Sequence, residues 1–421
     1  MKRTIIMLAL AACGRPQGTG DDAGDKVDAG GGDATTNGDG MAGGDTPTDG
    51  NSGTIMIPVL ACGTATVEAE TALPTPLDLT SYGTYGSPPL FLDGDNARVV
   101  YGTSSTWMTA AHGTAQTSSA ASVLAGSTYF NAGRSLSGRI VGVYNVGSEV
   151  RASVFEGGTF VSSIAIPCTL AQPSFYCEVR AAGDGHLWVR QDQNLFEQVG
   201  STFESRGGAP IGAQLFDVDA AGTVWVGGSG TGEVFQVWKL PSGAPGWTKT
   251  GALTTAMLGT AATEIEGGFQ LDGITGAFAP DGSIHLWSSA RCIGTGLRNK
   301  LQLYMRSQDG SSWSVERLPD MTTLLDGHVT WSNAQIWANS YDNARFVNVS
   351  STQPIMQGLD WIYPSRQLNV IGRCTNGGHP AFERMASAPL PGWTVRGFAR
   401  FSENGAVSLL TSLGLTQIYV R

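Results

Sequence analysis

The chain has little charge and no long apolar run. Charged residues make up 14% of its 421 positions, with 25 Lys and Arg against 35 Asp and Glu, so the formal net charge is −10. An acidic chain without a basic patch is not expected to bind nucleic acid or anionic lipid. No stretch after the N-terminal segment approaches the roughly 18 apolar residues that a transmembrane helix needs.

Motifs that would identify an enzyme are also missing from the sequence. There is no G-x-S-x-G nucleophile elbow, no G-x-x-x-x-G-K phosphate loop, and no closely spaced histidine pair. Asp217-Val218-Asp219 starts like a calcium loop, but Ala221 and Gly228 stand where ligands are required. The glycines at 228–232 lead into an alternating strand, so we expect a hairpin turn there.

The N-terminus carries a very short signal segment, predicted to be residues 1–12. Lys2 and Arg3 precede the brief apolar stretch Thr4–Ala12, and Leu10-Ala11-Ala12-Cys13 closes it. This tetrad resembles the lipobox of bacterial lipoproteins. The resemblance implies cleavage before Cys13, attachment of lipid such as palmitate to Cys13, and retention on a membrane. The alternative is an ordinary secretory signal with a cysteine near its cleavage site by chance.

Residues 13–53 are predicted to be a disordered tether. Between Gly14 and Gly53 there are 13 Gly, 8 Asp and no aromatic residue, and the net charge is −6. Such a segment buries too little apolar surface to offset its chain entropy. Its relaxed span is roughly 35 Å. Calcium binding by stacked Gly/Asp repeats is the less favoured alternative, because the spacing is irregular.

Residues 54–421 are predicted to form one all-β domain. Short alternating apolar runs are separated by Gly, Asp, Asn, Ser and Pro, which is typical of many strands joined by turns. A turn-and-strand element recurs at Asp184–Val189 and Ala221–Val226, and with one inserted residue at Asp281–Trp287; Ser332–Trp337 and Glu403–Leu409 are weaker copies. We expect Asp to bind the turn backbone, Gly to take positive φ, and Trp to fill gaps between sheets.

Units of about 50 residues with a recurring Trp strand indicate a β-propeller of about seven blades, with six or eight also open. Asp219–Val226 resembles the blades of sensor-type propellers. Ser307–Trp313 resembles the Asp-box of sialidase-like propellers, one residue short. In that family the boxes are structural turns, and its F/Y-R-I-P sequence is absent here, so the resemblance implies fold and not glycosidase activity.

Two histidines and two cysteines are the remaining candidate site residues. His186 and His285 share the context His-Leu-Trp and are predicted to occupy equivalent places in two blades, which makes them weak metal ligand candidates. We favour the alternative that each bonds within its own turn, and we expect no cofactor. Cys168 and Cys177, on either side of Pro173, are candidates for a disulfide between two strands; the pairing of Cys62, Cys292 and Cys374 stays open.

The sequence therefore favours a lipid-anchored protein of the bacterial cell envelope whose propeller binds a protein or glycan without catalysis. Gly14 after Cys13 resembles lipoproteins sent to the outer membrane, facing the periplasm or the cell surface. The alternative is a polysaccharide hydrolase or lyase with its site at the central channel. A third hypothesis is a purely structural envelope component.

Overall fold

The residues that the structure describes begin at Ala65. A computed structural model describes residues 65–67, 71–72, 90–93, 96–103, 106–111, 118–127, 130–169, 177–263, 271–290, 301–318, 329–330, 335–340, 343–351, 355–357, 360–362, 366–376, 379–390, 398–401, 407–411 and 414–420. The signal segment, Cys13, the tether, Cys62 and Cys292 lie outside the described residues, so the predictions about them are not tested by the structure.

The fold is an all-β propeller, as the sequence predicted. After β1 (Ala65–Val67) and β2 (Thr71–Ala72), an N-terminal sheet contains β3 (Leu90–Asp93), β4 (Asn96–Thr103), β5 (Thr106–Ala111) and β6 (Ser118–Ala120). A 3₁₀ turn at Ser122–Leu124 leads to the first of four complete blades. All paired strands run antiparallel, and within each four-stranded sheet every strand pairs with the next in sequence.

The best-described part of the chain forms four blades, rather than the seven that the sequence predicted. Blade I contains β7 (Phe130–Arg134), β8 (Ile140–Val146), β9 (Glu149–Glu156) and β10 (Thr159–Ala165). Blade II contains β11 (Cys177–Ala181), β12 (Leu187–Gln191), β13 (Asn194–Val199) and β14 (Thr202–Gly208). Blade III contains β15 (Gly212–Val218), β16 (Val224–Gly230), β17 (Glu233–Leu240) and β18 (Thr248–Leu253). Blade IV contains β19 (Leu271–Phe278), β20 (Ile284–Ala290), β21 (Leu301–Ser307) and β22 (Trp313–Arg317).

The C-terminal part is described by its strands. One sheet combines β23 (Val329–Thr330), β24 (Gln335–Ser340), β25 (Asn343–Ser351), β28 (Arg366–Asn376) and β29 (His379–Leu390), beside the hairpin of β26 (Ile355–Gln357) and β27 (Asp360–Ile362). The last sheet contains β30 (Phe398–Phe401), β31 (Val407–Thr411) and β32 (Gly414–Val420), and β1 and β2 both pair with β32. Among the described residues there is no helix with the length and apolar character that a bilayer crossing requires.

The recurring sequence element is the turn between the first two strands of each blade. In all four blades the first residue of a five-residue turn donates its N–H to the carbonyl of the fifth, and a glycine at the fourth position donates to the carbonyl of the first. These glycines have φ between 81° and 90°; they are Gly138, Gly185, Gly222 and Gly282. The carboxylates of Asp184 and Asp281 accept backbone N–H groups two residues on. The predicted roles of Asp and Gly are confirmed.

Apolar side chains from facing sheets form the core between neighbouring blades. Trp188 is buried in the cluster between blades II and III, together with Phe216 and Val226. Trp225 packs against the cluster between blades III and IV, and its Nε1 donates to Asp219 Oδ2 over 3.1 Å. The predicted role of these two tryptophans as filling between sheets is confirmed. Because each blade buries both faces, removing one would expose two apolar surfaces.

A disulfide joins Cys168 to Cys177, as the sequence predicted. Cys168 follows β10 of blade I and Cys177 is the first residue of β11 in blade II, with 6.3 Å between their Cα atoms. Both residues are buried in the apolar cluster between these two blades. The disulfide therefore ties the start of the inner strand of blade II to the preceding blade.

The turn geometry predicts that Gly185→Ala will lower the free energy of unfolding by about 1–2 kcal/mol, since an L-residue is strained at φ of 90°. A Cβ at this position would meet no heavy atom within 4 Å, so only the backbone conformation is tested. Gly212→Ala is the control, because Gly212 also has open space and has no positive φ. Urea unfolding of both variants measures the difference; equal stabilities would contradict the prediction.

Candidate functional site

The inner strands bring charged side chains together near the propeller axis. The first strands of adjacent blades contact each other, which identifies β7, β11, β15 and β19 as the inner strands. Two residues before each turn, these strands present equivalent positions, which we call the inner layer: Gly133, Arg180, Asp217 and Ala277. The strand registers agree, since Arg180 pairs with Trp188 and Asp217 pairs with Trp225. Blades II and III therefore carry residues of opposite charge, Arg180 and Asp217, at the same register position of their inner strands.

Arg180 spans three blades from its place on β11. A Cβ on Gly133 would lie 3.0 Å from Arg180 Nη1, so the absence of a side chain in blade I makes room for the guanidinium. The guanidinium lies 5.9 Å from the ring centre of Phe216 in blade III. Its Nε is 3.7 Å from Asp217 Oδ1. The side chains of Arg180 and Asp217 each keep 20% of their area exposed.

A second ion pair lies beside the inner layer. Arg190 Nε donates to Glu178 Oε2 over 2.8 Å, and Arg190 Nη2 contacts the same oxygen. Arg190 Nη1 donates to the carbonyl of Ala213 over 2.7 Å, which links blade II to blade III. Glu178 is the more exposed partner, at 37% of its side-chain area. Two arginines and two carboxyl groups thus meet at the inner edges of blades II and III.

Asp217 is held by backbone groups from two blades. Its Oδ1 accepts the N–H of Leu136 over 2.7 Å and the N–H of Val218 over 2.8 Å. Burial raises the pKa of the Asp217 carboxyl above its usual value, although Arg180 and the two backbone N–H groups act in the opposite direction. The Glu178 charge raises this pKa further. The ionised form of Asp217 is therefore less favourable in the fold than in water.

The turn of blade I crosses the ends of the inner strands of blades II and III. Ser137 N donates to the carbonyl of Val218 over 3.0 Å, and Ser135 Oγ accepts the N–H of Ala181 over 2.8 Å. Leu136 packs against the apolar cluster that lies between blades III and IV. This turn therefore covers the inner layer from one side, and its hydrogen bond from Leu136 to Asp217 helps to hold it there.

The structure does not bring the two candidate metal ligands together, and their predicted equivalence is wrong. His186 is the fifth residue of the blade II turn, with its Nε2 3.2 Å from Glu197 Oε1. His285 lies two residues beyond the turn of blade IV, at the place that Trp188 occupies in blade II. The shared letters His-Leu-Trp are thus offset by two residues. In the part of the chain that the structure describes, no three His, Cys, Asp or Glu side chains are grouped to hold a metal ion.

His285 belongs to a buried hydrogen-bonded chain in blade IV. Ser283 Oγ donates to Asp281 Oδ1, which leaves it to accept from His285 Nε2 over 3.0 Å. His285 Nδ1 then accepts from the hydroxyl of Tyr304 over 2.7 Å. Asp281 accepts its hydrogen bond from the serine, and Ser283 and His285 are fully buried. This order differs from a catalytic triad, where the carboxylate orients the histidine and the serine faces the substrate.

The Asp-box-like segment is a structural turn, as the resemblance implied. It joins β21 to β22, where Ser307 Oγ accepts the N–H of Gly310 and Trp313 Nε1 donates to the carbonyl of Gly310. Asp309 Oδ1 accepts the N–H of Ser311 over 2.8 Å. The hydrogen bonds that Ser311 donates to Asp309 through its N–H and its hydroxyl lower the pKa of Asp309. The segments at 217–222 and 228–232 are likewise the blade III turn and the β16–β17 hairpin.

Sequence reasoning missed the charged cluster of Glu178, Arg180, Arg190 and Asp217. Arg180 matched no recognised motif, and Asp217 drew notice only as the first position of a failed calcium loop. The available signal was weak: Glu178 and Arg180 alternate with buried apolar residues on β11. Alternation alone predicts a half-buried strand, and only the turn register shows that Arg180 and Asp217 occupy equivalent positions.

Comparisons with known proteins give similarity in fold only. No family model matches the chain, and no curated protein matches it. Hydrazine synthase of Kuenenia stuttgartiensis is 11% identical over 66% of this chain and 72% of that chain, with a TM-score of 0.40. The polysaccharide lyase Uly1 is 12% identical over 80% and 90%, with a TM-score of 0.42. BBS1N, solved in complex with ARL6DN, is 10% identical over 85% and 97%, with a TM-score of 0.41. Similarities this weak bear on neither ligand nor reaction.

The raised pKa of Asp217 predicts that Asp217→Asn will stabilise the protein increasingly as pH rises. In the fold this carboxyl titrates above its unfolded value of 3.8. Its contribution is fully present below that value and is lost as pH rises through the folded pKa. Asn keeps an oxygen for the N–H groups of Leu136 and Val218 and removes the buried charge. Urea unfolding at about pH 4 and about pH 8 measures the difference in stability from the wild type.

Asp309→Asn supplies a control of opposite sign. Because the folded pKa of Asp309 is lowered, its contribution is present above the unfolded pKa and is lost as pH falls. The wild type should therefore gain stability over this variant as pH rises toward 3.8, so this pair is also compared at about pH 3. If Asp217→Asn and the wild type follow parallel pH curves, burial does not penalise the Asp217 charge and the assignment is wrong.

Proposed function

We propose that the chain is an extracytoplasmic lipoprotein whose propeller binds a protein or glycan without catalysing a reaction. The observation that carries the non-catalytic assignment is that Glu178 is paired with Arg190 and that His285 is buried in a hydrogen-bonded chain. A general base or nucleophile needs a free position for the substrate. Blades whose titratable groups are paired with one another are better suited to binding a protein or glycan through their loops than to catalysis.

We also propose seven blades in total. The N-terminal sheet β3–β6 and the two C-terminal sheets would supply the three blades beyond blades I to IV. This count is supported by contacts between successive first strands, since β30 contacts β3, β3 contacts β7, β19 contacts β24, and β24 contacts β30. The pairing of β1 with β32 would close the ring by joining the two ends of the domain in one sheet.

The anchor follows from the N-terminal sequence. Lipid at Cys13 and a tether of roughly 35 Å would hold the propeller away from the membrane of a bacterial envelope, on the outer membrane facing the periplasm or the cell surface. A domain held in this way is placed to meet a partner beyond the bilayer surface.

The anchor predicts that the full chain, expressed in a bacterium that processes lipoproteins, will incorporate labelled palmitate and fractionate with membranes. Cys13→Ser should lose the label and become soluble, because the acyl acceptor is gone. Cys62→Ser is the matched control and should keep both properties. Label retained by Cys13→Ser, or absent from the wild type, would contradict lipidation at Cys13.

One observation favours the alternative of a polysaccharide hydrolase or lyase. Glu178 and Asp217 lie close enough for the charge of Glu178 to raise the pKa of Asp217, and both keep exposed area. A pair of carboxyl groups is the usual equipment for acid and base catalysis on sugars. In this alternative Asp217 would be the acid and Glu178 the base or nucleophile.

A combined screen separates the two functions. The full chain carrying Cys13→Ser is applied to a glycan array and to a panel of polysaccharides in which reducing ends and unsaturated sugars are measured. The binding function predicts retention of one or more ligands without product. Product formation that both Glu178→Gln and Asp217→Asn abolish would establish the enzyme instead, while Asp309→Asn, in an exposed turn, should change neither readout.

A further inference from the structure

We propose that Arg180 is the anchor of a binding site for a sugar acid, with its guanidinium bound to the carboxylate and Asp217 bound to the neighbouring hydroxyl. This site rests on the proposed binding function and gives it a location and a ligand class. It lies in the inner layer, at the contact of blades I, II and III. Two atoms define it: Arg180 Nη2 as donor and Asp217 Oδ2 as acceptor.

The hydrogen bonds of Arg180 leave much of its guanidinium unused. Nη1 donates to the carbonyl of Val179 in its own strand. Nε is buried and has no hydrogen-bond partner among the described residues. Nη2 makes no hydrogen bond with the described part of the chain, and it is not a buried atom. A largely buried arginine with a free, accessible edge is well suited to bind an anionic group.

Arg190, in the same blade, differs from Arg180 because all of its guanidinium nitrogens are hydrogen-bonded. Its Nε and Nη2 both contact Glu178 Oε2, and its Nη1 donates to Ala213 and Asp192 carbonyls. Arg206 similarly pairs with Glu197 in the outer part of blade II. Among the described carboxyl groups, Arg180 approaches only that of Asp217, over 3.7 Å and without a hydrogen bond. This difference from Arg190 and Arg206 leaves the guanidinium of Arg180 able to bind an anionic ligand.

Asp217 does not satisfy Arg180 because its Oδ1 is committed elsewhere. That oxygen accepts the N–H groups of Leu136 and Val218, which fixes the orientation of the carboxyl. Oδ2 accepts no hydrogen bond within the described residues and is not a buried atom. An arginine with an unused Nη2 and a carboxyl with an unused Oδ2 are therefore neighbours, with 3.7 Å between Arg180 Nε and Asp217 Oδ1.

A carboxylate beside a hydroxyl matches this pair of atoms. The carboxylate of a sugar acid accepts from Arg180, and the adjacent hydroxyl donates to Asp217, whereas a simple carboxylate lacks the second contact. The chain is acidic overall, with a net charge of −10, so an isolated cation selects a single carboxylate and not a dense polyanion. The small exposed fractions of both side chains also favour a compact group over a flat protein surface.

Titration of the full chain carrying Cys13→Ser with glucuronate, glucose and acetate tests the site. NMR line broadening or calorimetry should show glucuronate binding at least about tenfold tighter than either other probe, because only glucuronate makes both contacts. Arg180→Gln should weaken glucuronate binding at least about tenfold, and Arg180→Lys, which keeps the charge without the fork, should fall between. Arg206→Gln is the matched control and should bind like the parent.

Gly133→Ala gives an independent variant that keeps every charge. Its Cβ would lie 3.0 Å from Arg180 Nη1, so the guanidinium must shift and glucuronate affinity should fall. Thermal unfolding checks that each variant is folded. Equal glucuronate affinity in folded Arg180→Gln and the parent would overturn the site, as would a parent that binds glucuronate no better than glucose.

The same variants distinguish failure of this site from failure of the binding function. If the array identifies a neutral glycan or a protein whose binding is unchanged in Arg180→Gln, the propeller binds elsewhere and the sugar-acid site is wrong. If a peptide with a free C-terminal carboxylate competes as well as glucuronate, the occupant is wrongly identified. Loss of glucuronate binding in Arg180→Gln alone, with Arg206→Gln intact, supports the proposal.

Discussion

The five-residue turn that ends each inner strand organises the described propeller. Its two backbone hydrogen bonds and its glycine at positive φ reverse the chain at the same point in four blades. Because the turn fixes the register of the first strand pair, it also fixes which residues face the neighbouring blade. The buried tryptophans, the charged inner layer and the contacts between blades all take their positions from this register.

Blade I uses its turn differently from the others. Its residues Ser135–Ser137 bond to the inner strands of blades II and III, so one short segment connects three blades. Asp217 is part of that connection and also faces Arg180. A carboxyl whose pKa is raised by burial, beside an arginine with which it makes no hydrogen bond, costs stability relative to a hydrogen-bonded ion pair. We interpret this cost as the mark of a site, in agreement with strain and unpaired charge being concentrated where ligands bind.

The candidate residues show how local similarity misleads. His186 and His285 share a tripeptide, yet one ends a turn and the other lies within a buried strand. The two tripeptides match when Trp188 is placed opposite Trp287. In the fold Gly185 corresponds to Gly282, so His285 corresponds to Trp188. The Cys168–Cys177 disulfide was predictable because the two residues are close in sequence and flank a proline, so little chain has to be closed between them.

The sequence by itself determined the all-β class, the turn chemistry and the burial of Trp188, because each depends on local pattern and on residue types with few conformational alternatives. It could not place Arg180 beside Gly133 and Asp217, since these two residues belong to other blades and lie 47 and 37 positions from Arg180 in the sequence. Only the packing of blades around an axis brings them together. The candidate site was therefore decided by tertiary structure, because contacts between residues that are distant in the sequence produce no repeating pattern of residue types in a single sequence.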